Sequence, residues 1–248
     1  MISPEKLHAL YATMVKCRLA LETVGLSKRG TGCGEAAYAA AAADLGRGDT
    51  LHATSQHALA RLARGAVFAR TVVELERATR ARTGAETQLA AACEAAQSHK
   101  RAKKGRVAMV FAGDAEARAG AWKKALTLAA RRGLPMLFVS LRSAGEAPVF
   151  LDSETVPVEA MAFGVPLITV DGNDAVAVYR VAYESLARAR QLSNPTLIDC
   201  VCDGADGIAA MEAWLGTRGL LTPAKKRSIR ASVRAGITAS PSSASKSK

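Results

Sequence analysis

Short apolar runs that alternate with segments of helical spacing constrain the fold of this chain more than any other feature of its sequence. Val107–Ala112 is a continuous apolar run, the pattern of a strand buried on both faces, and Met136–Leu141 is predicted as a second buried strand. The pattern continues with two further strands and two helices: strands Leu167–Val170 and Thr196–Val201, helices Gly120–Arg132 and Ala175–Arg190. This alternation predicts an α/β fold with a parallel sheet covered by helices.

The chain before this region is predicted to be helical. Five segments have apolar residues at helical spacing or are rich in alanine: Pro4–Leu26, Glu35–Leu45, Gln56–Ala63, Val67–Arg82 and Gln88–Ser98. Ser3 and Pro4 suit the cap and the first turn of the first of these helices. The last helix is predicted to end before a basic turn, Lys100–Arg106.

The composition is that of a globular protein. Hydrophobic residues make up 49% of the 248 residues and charged residues 23%, while aromatic residues are only 4%. We therefore expect a core of alanine and branched aliphatic side chains. No stretch approaches the roughly 18–20 apolar residues that span a bilayer, and Met1–Lys6 lacks an apolar export segment, which predicts a cytoplasmic protein without membrane association.

The five cysteines are scattered and form no paired motif: Cys17, Cys33, Cys93, Cys200 and Cys202. The four histidines do not cluster with them, so neither a disulfide framework nor a zinc site is predicted. We expect buried, reduced thiols.

The net charge of +12 is concentrated at the C-terminal end. Pro223–Lys248 contains seven basic residues and no acidic residue, which predicts a basic helix followed by a loose tail. Residues 240–248 are rich in serine and lysine and are predicted to be disordered. We expect residues 1–239 to form a single domain, with C-terminal helices from about residue 206.

A glycine and a carboxylate follow the first buried strand directly, as Gly113-Asp114-Ala115. Ligands bind in open parallel sheets where the chain leaves the carboxyl ends of the strands. A carboxylate at this point can hold a hard cation against phosphate oxygens. The alternative is a simple turn in which Asp114 caps the following helix.

The stretch GRVAMVFAGDAEARAGAWKKALTLAARRGLPMLFVSLRS resembles the cofactor motif of the α subunits of thiamine-diphosphate-dependent 2-oxo acid dehydrogenases. In that family one strand ends in GDG, a helix follows, and the next strand ends in two asparagines. The strings GEAAYAAAAADLGRGD, VDGND and NPTLIDC extend the resemblance in the same order, from about Pro4 to Ile237. The chain is thus similar to a shortened member of this family.

The resemblance implies a three-layer α/β/α thiamine-diphosphate-binding fold with a mostly parallel sheet and C-terminal helices. It implies thiamine diphosphate and magnesium as cofactors, and either a homodimer or a heterotetramer with a β subunit that supplies an activating glutamate. The family's chemistry is decarboxylation of a 2-oxo acid with transfer of the acyl group to a lipoyl carrier. The matching positions assign metal binding to Asp114, a catalytic role to His57, and cofactor binding to Gly113, Asp114, Ala115, Arg142 and Thr83.

The sequence departs from the family at the site itself. Ala115 stands in place of the last glycine of GDG, and the metal-binding asparagine falls on Arg142. The Tyr-Arg pair that grips the diphosphate falls near 54–56, and three loops are shortened, near 67–83, 147–156 and 202–207. Arginine offers only hydrogen-bond donors and a permanent positive charge. Two like unit charges about 4 Å apart repel each other by about 4 kcal/mol in a partly buried site, so a metal ion beside Arg142 is disfavoured.

These departures lead to two expectations about side chains. Arg142 is predicted to pair with Asp114 in the metal's place, the alternative being a solvated arginine at a strand end. His57 is either the retained histidine of the family or a solvated or hydrogen-bonded histidine at a helix start.

Three hypotheses for function follow. The first is a family member by descent in which cofactor and metal binding is lost or weakened and which acts as a folded dimer or partner subunit. The second is an active α subunit that binds thiamine diphosphate without the usual metal, together with a β subunit. The third is a non-enzymatic binder of nucleic acid or acidic partners through the basic C-terminal segment, although no recognition motif accompanies that charge.

Overall fold

A six-stranded sheet forms the centre of the computed structural model, which describes residues 2–26, 34–78, 84–113, 119–150 and 160–239. The strands are β1 Thr50–Ala53, β2 Ala108–Gly113, β3 Met136–Ser143, β4 Ala160–Ala162, β5 Val165–Asp171 and β6 Thr196–Cys202. The helices are α1 Pro4–Thr23, α2 Glu35–Ala41, α3 Ala58–Ala63, α4 Phe68–Ala78, α5 Ala85–Ala102, α6 Ala119–Arg132, α7 Ala175–Leu192, α8 Gly207–Gly216 and α9 Pro223–Ala239.

The strand order β1-β2-β3-β6-β5-β4 contains one reversal of direction. From β1 to β3 the chain moves across the sheet one way, and from β5 to β6 it moves back. All neighbouring strands are parallel except the short edge strand β4, which is antiparallel to β5. The reversal lies between β3 and β6, and in open α/β sheets the carboxyl ends of the two strands at such a point form the usual ligand crevice.

Because right-handed crossovers of opposite direction place their helices on opposite faces, helices cover both sides of the sheet. Helices α1, α2, α7 and α8 pack on the face that carries Met109, Phe111, Leu137, Val139 and Ile198. Helices α5 and α6 pack on the other face, where Trp122 contacts the rings of Phe138 and Phe150. The α/β class and the mostly parallel sheet predicted from the sequence are therefore confirmed.

The ends of β5 and β6 show how local sequence positions the following helices. The sequence Asp-Gly-X-Asp stands at the end of each strand, beginning at the last residue of β5 and directly after β6, and its second aspartate is the N-cap of the next helix. Asp174 accepts from the amides of residues 176 and 177 at the start of α7, and Asp206 accepts from those of residues 208 and 209 at the start of α8.

The structure corrects the sequence-based assignment in three places. Strands β1 and β4 were not predicted, since they have only four and three residues; β1 is a strand because its backbone pairs with β2, and β4 because its backbone pairs with β5. Helix α5 continues to Ala102, so Lys100 and Arg101 are helical and not part of a turn. Their charges suit the last turn of a helix, where the carbonyl groups are partly negative.

Three further expectations concern thiols, membranes and the tail. The four cysteines that lie in described ranges, Cys17, Cys93, Cys200 and Cys202, are free and buried. Within those ranges no helix combines the length and the hydropathy of a membrane span. The predicted disordered tail, residues 240–248, lies outside the described residues.

Candidate functional site

The carboxyl edge of the sheet brings His57 next to Gly113. His57 follows β1 as the N-cap residue of α3, and Gly113 is the last residue of β2. A Cβ atom on Gly113 would lie 3.2 Å from His57 Nε2, so the imidazole lies directly over this glycine. Two of the residues that the sequence assigned to the site are therefore in contact.

Tyr38 of helix α2 holds the His57 imidazole from the other side. Its hydroxyl oxygen lies 2.6 Å from His57 Nδ1, and both side chains are buried. Burial, together with the smaller effect of the nearby Arg61 guanidinium, lowers the pKa of His57 to about 4. His57 is consequently a neutral imidazole at physiological pH, suited to hydrogen bonding and unsuited to neutralising a diphosphate.

The backbone of Gly34 packs closely against the Tyr38 ring. Gly34 has a φ of +116°, and a Cβ atom there would lie 2.7 Å from the Tyr38 ring and 3.2 Å from Leu141 of β3. The Tyr38 ring also packs on Phe111 of β2, with ring centroids 5.4 Å apart. Tyr38 and His57 thus lie between α2 and the end of β2, beside Gly113, to which the resemblance assigns cofactor binding.

Arg142 makes a buried ion pair, and its partner is Asp199. The Nε atom of Arg142 lies 3.2 and 3.0 Å from the two carboxylate oxygens of Asp199, and Nη2 of Arg142 lies 2.9 Å from Oδ2 of Asp199. Nη1 donates to the Glu146 carbonyl oxygen at 2.6 Å. The Asp199 side chain is fully buried and the Arg142 side chain is 9% exposed, which disagrees with a solvated arginine. Burial raises the pKa of Asp199, and the guanidinium acts in the opposite direction.

The ion pair and the Tyr38–His57 pair lie on opposite faces of the sheet. Leu141 packs with the core beneath α2, and side chains alternate along a strand, so Arg142 points toward the face covered by α5 and α6. Asp199 likewise alternates with Ile198 and Cys200, which belong to the first face. The structure therefore separates Arg142 from His57 although both lie at the carboxyl edge.

The remaining predicted site residues, Thr83, Asp114 and Ala115, lie outside the described residues. The predicted pairing of Arg142 with Asp114 and the metal-binding role of Asp114 accordingly stay predictions. Among the described residues, no three histidine, cysteine or carboxylate side chains come close enough to hold a metal ion. A neutral histidine and an arginine engaged by a carboxylate do not fit the oxygen ligands that Mg²⁺ requires.

Sequence reasoning missed Tyr38 and Asp199, although each leaves a signal. Asp199 is the single charged residue in the strand sequence TLIDCVC, and a charge in a buried strand needs a partner. Tyr38 is the single aromatic residue in the helix sequence EAAYAAA, so its large ring must lie against something other than alanine. Neither signal identifies the partner by itself.

A family model described as "Dehydrogenase E1 component" matches residues 37–207. Among curated proteins, the α subunit of the acetoin:2,6-dichlorophenolindophenol oxidoreductase of Bacillus subtilis is 36% identical over 114 residues, which is 44% of this chain and 34% of that protein. The α subunit of the 3-methyl-2-oxobutanoate dehydrogenase of Mycobacterium tuberculosis is 34% identical over 119 residues, 46% of this chain and 32% of that protein.

The aligned part of this chain thus spans about a third of the length of these relatives. Among solved structures, a putative thiamin diphosphate-dependent enzyme from Mycobacterium smegmatis superposes with a TM-score of 0.42 and 16% sequence identity. The superposition covers 67% of this chain and 31% of the other.

Proposed function

This chain belongs to the dehydrogenase E1 component family as an α-subunit-like member, and we propose that it has lost, or retains only weakly, the binding of thiamine diphosphate and Mg²⁺. In this proposal the chain acts as a folded dimer or as a partner subunit. In this proposal, other members of the family decarboxylate 2-oxo acids and this chain does not.

The observation that carries the proposal is the engagement of Arg142. By the resemblance, this residue falls at the position of the family's metal-binding asparagine, and three of its nitrogen atoms already donate to Asp199 and to the Glu146 carbonyl. Turning Arg142 toward a ligand would leave the buried Asp199 carboxylate unpaired, which costs about 3–5 kcal/mol. Both a metal ion and a directly bound diphosphate therefore compete with an internal salt bridge.

The packing of Tyr38 and His57 supports the same proposal. Diphosphate carries several negative charges, and its recognition requires cationic side chains, exposed backbone N–H groups or a metal ion. Here a neutral imidazole and a phenol ring cover Gly113 and Gly34. The family's diphosphate-binding Tyr-Arg pair has no counterpart, since residues 54–56 are Thr-Ser-Gln.

Calorimetric titration of thiamine diphosphate with Mg²⁺ into the purified chain tests this proposal, first alone and then with a β subunit of the family. We expect no saturable heat and no change in melting temperature up to about 1 mM cofactor, the concentration at which even a binding free energy of about 4 kcal/mol becomes visible. Saturable, Mg²⁺-dependent binding by the unmodified chain would contradict the proposal.

A matched variant shows whether Arg142 is the cause. The double substitution Arg142→Asn with Asp199→Asn restores the family's asparagine and removes the charge that would otherwise remain unpaired. Binding that appears only in this variant supports the assigned role of Arg142. A 2-oxo acid decarboxylation assay on the unmodified chain, with and without the β subunit, separates weak binding from an active enzyme that needs no metal.

A further inference from the structure

The strands β1, β2, β3 and β6 are parallel neighbours, so the four segments that lead into them meet at one edge of the sheet, here called the amino edge. It lies opposite the carboxyl edge that holds His57 and Gly113. Its segments are residues 42–49 before β1 and, before β2, β3 and β6 respectively, the end of α5 with residues 103–107, the end of α6 with residues 133–135, and the end of α7 with residues 193–195.

Direct contacts join these segments into one surface. A Cβ atom on Gly48 would lie 2.5 Å from Arg106 Nε, so the segments before β1 and β2 touch each other. A Cβ atom on Gly133, before β3, would lie 3.3 Å from Lys100 Nζ of α5 and 3.5 Å from the Ser193 carbonyl oxygen, before β6. The amino edge is therefore continuous across four strands, a width of about 15 Å.

The amino edge is strongly basic. The two carboxylates on its segments, Asp44 and Asp49, already form ion pairs with Lys6 and Arg190. Nine further cationic side chains on the same segments are exposed, and no ion pair between described residues involves any of them: Arg47, Lys100, Arg101, Lys103, Lys104, Arg106, Arg131, Arg132 and Arg188.

The helix ends do not account for this charge. Basic residues in the last turn of a helix can offset the partial negative charge of its terminal carbonyl groups, which is about half a unit per helix. Three helices, α5, α6 and α7, end at the amino edge, so their carbonyl groups offset only a small part of nine positive charges. The remaining like charges repel one another, and an anionic partner would relieve that repulsion.

We propose that the amino edge binds the phosphate backbone of a nucleic-acid duplex, without reading its sequence. A DNA duplex carries one negative charge per about 1.7 Å of its axis, so a length of about 15–20 Å carries about ten phosphate charges, close to the number of cations. Six of the nine cations are arginines, and a planar guanidinium group can donate two hydrogen bonds to one phosphate.

The residues of the amino edge favour a duplex over a single strand or a membrane. Single-stranded nucleic acids bind by stacking their bases on aromatic rings, and the four segments contain no Phe, Tyr or Trp. Binding to a membrane surface depends on apolar side chains that enter the lipid. Leu192 is the one exposed large apolar side chain on these segments, so the surface can supply charge but little apolar area.

Fluorescence anisotropy with a labelled DNA duplex of about 20 base pairs tests the proposal. For the unmodified chain we expect a dissociation constant on the order of 1–100 μM at about 0.15 M salt, and weaker binding as salt is added. The triple variant Arg101→Gln, Lys104→Gln, Arg131→Gln removes three phosphate contacts. It should bind at least about tenfold more weakly at low salt, and the slope of log K against log salt should become shallower by about 3.

A second triple variant, Lys225→Gln, Arg227→Gln, Arg234→Gln, removes the same charge from exposed positions of α9 and is the matched control. It should bind the duplex within about threefold of the unmodified chain, because salt screens charges that do not contact the phosphates. Circular dichroism verifies that both variants are folded.

Three results with the duplex would overturn the proposal: no binding by the unmodified chain at low salt, an equal loss in both variants, or a loss confined to the α9 variant. The last result would assign the binding to the basic C-terminal segment. Vesicles that contain phosphatidylserine, or poly-glutamate, bound more tightly than the duplex would also overturn it. The test contains no cofactor and concerns the edge opposite His57 and Gly113, so this inference and the proposed function can each fail alone.

Discussion

Arg142 and Asp199 form a buried ion pair across β3 and β6, the two strands between which the connections of the sheet reverse direction. Nε and Nη2 of Arg142 lie 3.0 and 2.9 Å from Asp199 Oδ2. In open α/β proteins the carboxyl ends of such strands are the usual place for a ligand. Here a guanidinium–carboxylate pair joins Arg142, near the end of β3, to Asp199 in the middle of β6.

Asp199→Ala should lower the free energy of unfolding by about 3–5 kcal/mol, because it leaves the mostly buried Arg142 charge without its carboxylate. The double variant Arg142→Met with Asp199→Leu removes both charges and should lose much less stability. Urea denaturation followed by circular dichroism measures both values. Asp114→Ala is the comparison: a loss larger than that of Asp199→Ala would contradict Asp199 as the main partner of Arg142.

The free energy of unfolding should decrease as the pH decreases, because His57 titrates. Its folded-state pKa is about 4, whereas the unfolded-state value is about 6.5. The unfolded chain therefore binds more protons between these values, so the stabilisation is complete above about pH 6.5 and is lost as the pH falls toward about 4. The total loss from His57 is about 3 kcal/mol.

His57→Gln should have a smaller difference in unfolding free energy between about pH 7.5 and about pH 4.5 than the unmodified chain. Burial also lowers the pKa of His52 and His99, but both remain in the variant and cancel in the comparison. Equal pH dependence in the two proteins would contradict the assignment. A proton NMR titration of the His57 ring provides an independent measurement of its pKa.

Tyr38→Phe should cost about 1–2 kcal/mol of unfolding free energy, because it removes the hydroxyl group that bonds to His57 Nδ1 in a buried site. The Phe ring keeps the packing against Gly34 and Phe111, so the loss reports the hydrogen bond. Tyr183→Phe, at a side chain that is 56% exposed, should change stability by less than about 0.5 kcal/mol. Thermal and urea unfolding of the two variants measure the difference.

Glu212→Ala should release the C-terminal helix α9 from the rest of the fold. Helix α9 has no buried residue, and Glu212 of α8 accepts from Lys226 and Arg230 of α9 and from the Tyr11 hydroxyl of α1. Amide hydrogen exchange should speed up at residues 223–239 while the strands keep their protection. Exchange in α9 that is unchanged would show that other contacts hold the helix. Glu184→Ala serves as the control at an exposed glutamate.

The core of the fold could be predicted from local patterns. Strands β2, β3 and β6 read as apolar or nearly apolar runs because parallel strands covered on both faces exclude polar side chains. The caps Ser3, Asp174 and Asp206 stand immediately before their helices and act on amides two or three residues away. Strand β1 was not predicted because its four residues form a strand only through their pairing with β2.

The candidate site was predictable in position but not in its contacts. The sequence placed His57, Gly113 and Arg142 at strand ends or helix starts, and the family resemblance assigned them to one site. The structure brings His57 and Gly113 together and directs Arg142 to the other face of the sheet, since alternate residues of a strand point to opposite sides.

By itself, then, the sequence determined the α/β class, the helices and buried strands of the central region, and the family to which the chain belongs, because each depends on spacing within short stretches or on order along the chain. Only the tertiary structure decided that Arg142 pairs with Asp199, 57 residues away, and that His57 bonds to Tyr38, 19 residues away. Those partners depend on which strands and helices become neighbours when the sheet assembles. A buried charge or a large ring in a run of small residues shows that a partner is needed, but the strand order selects it.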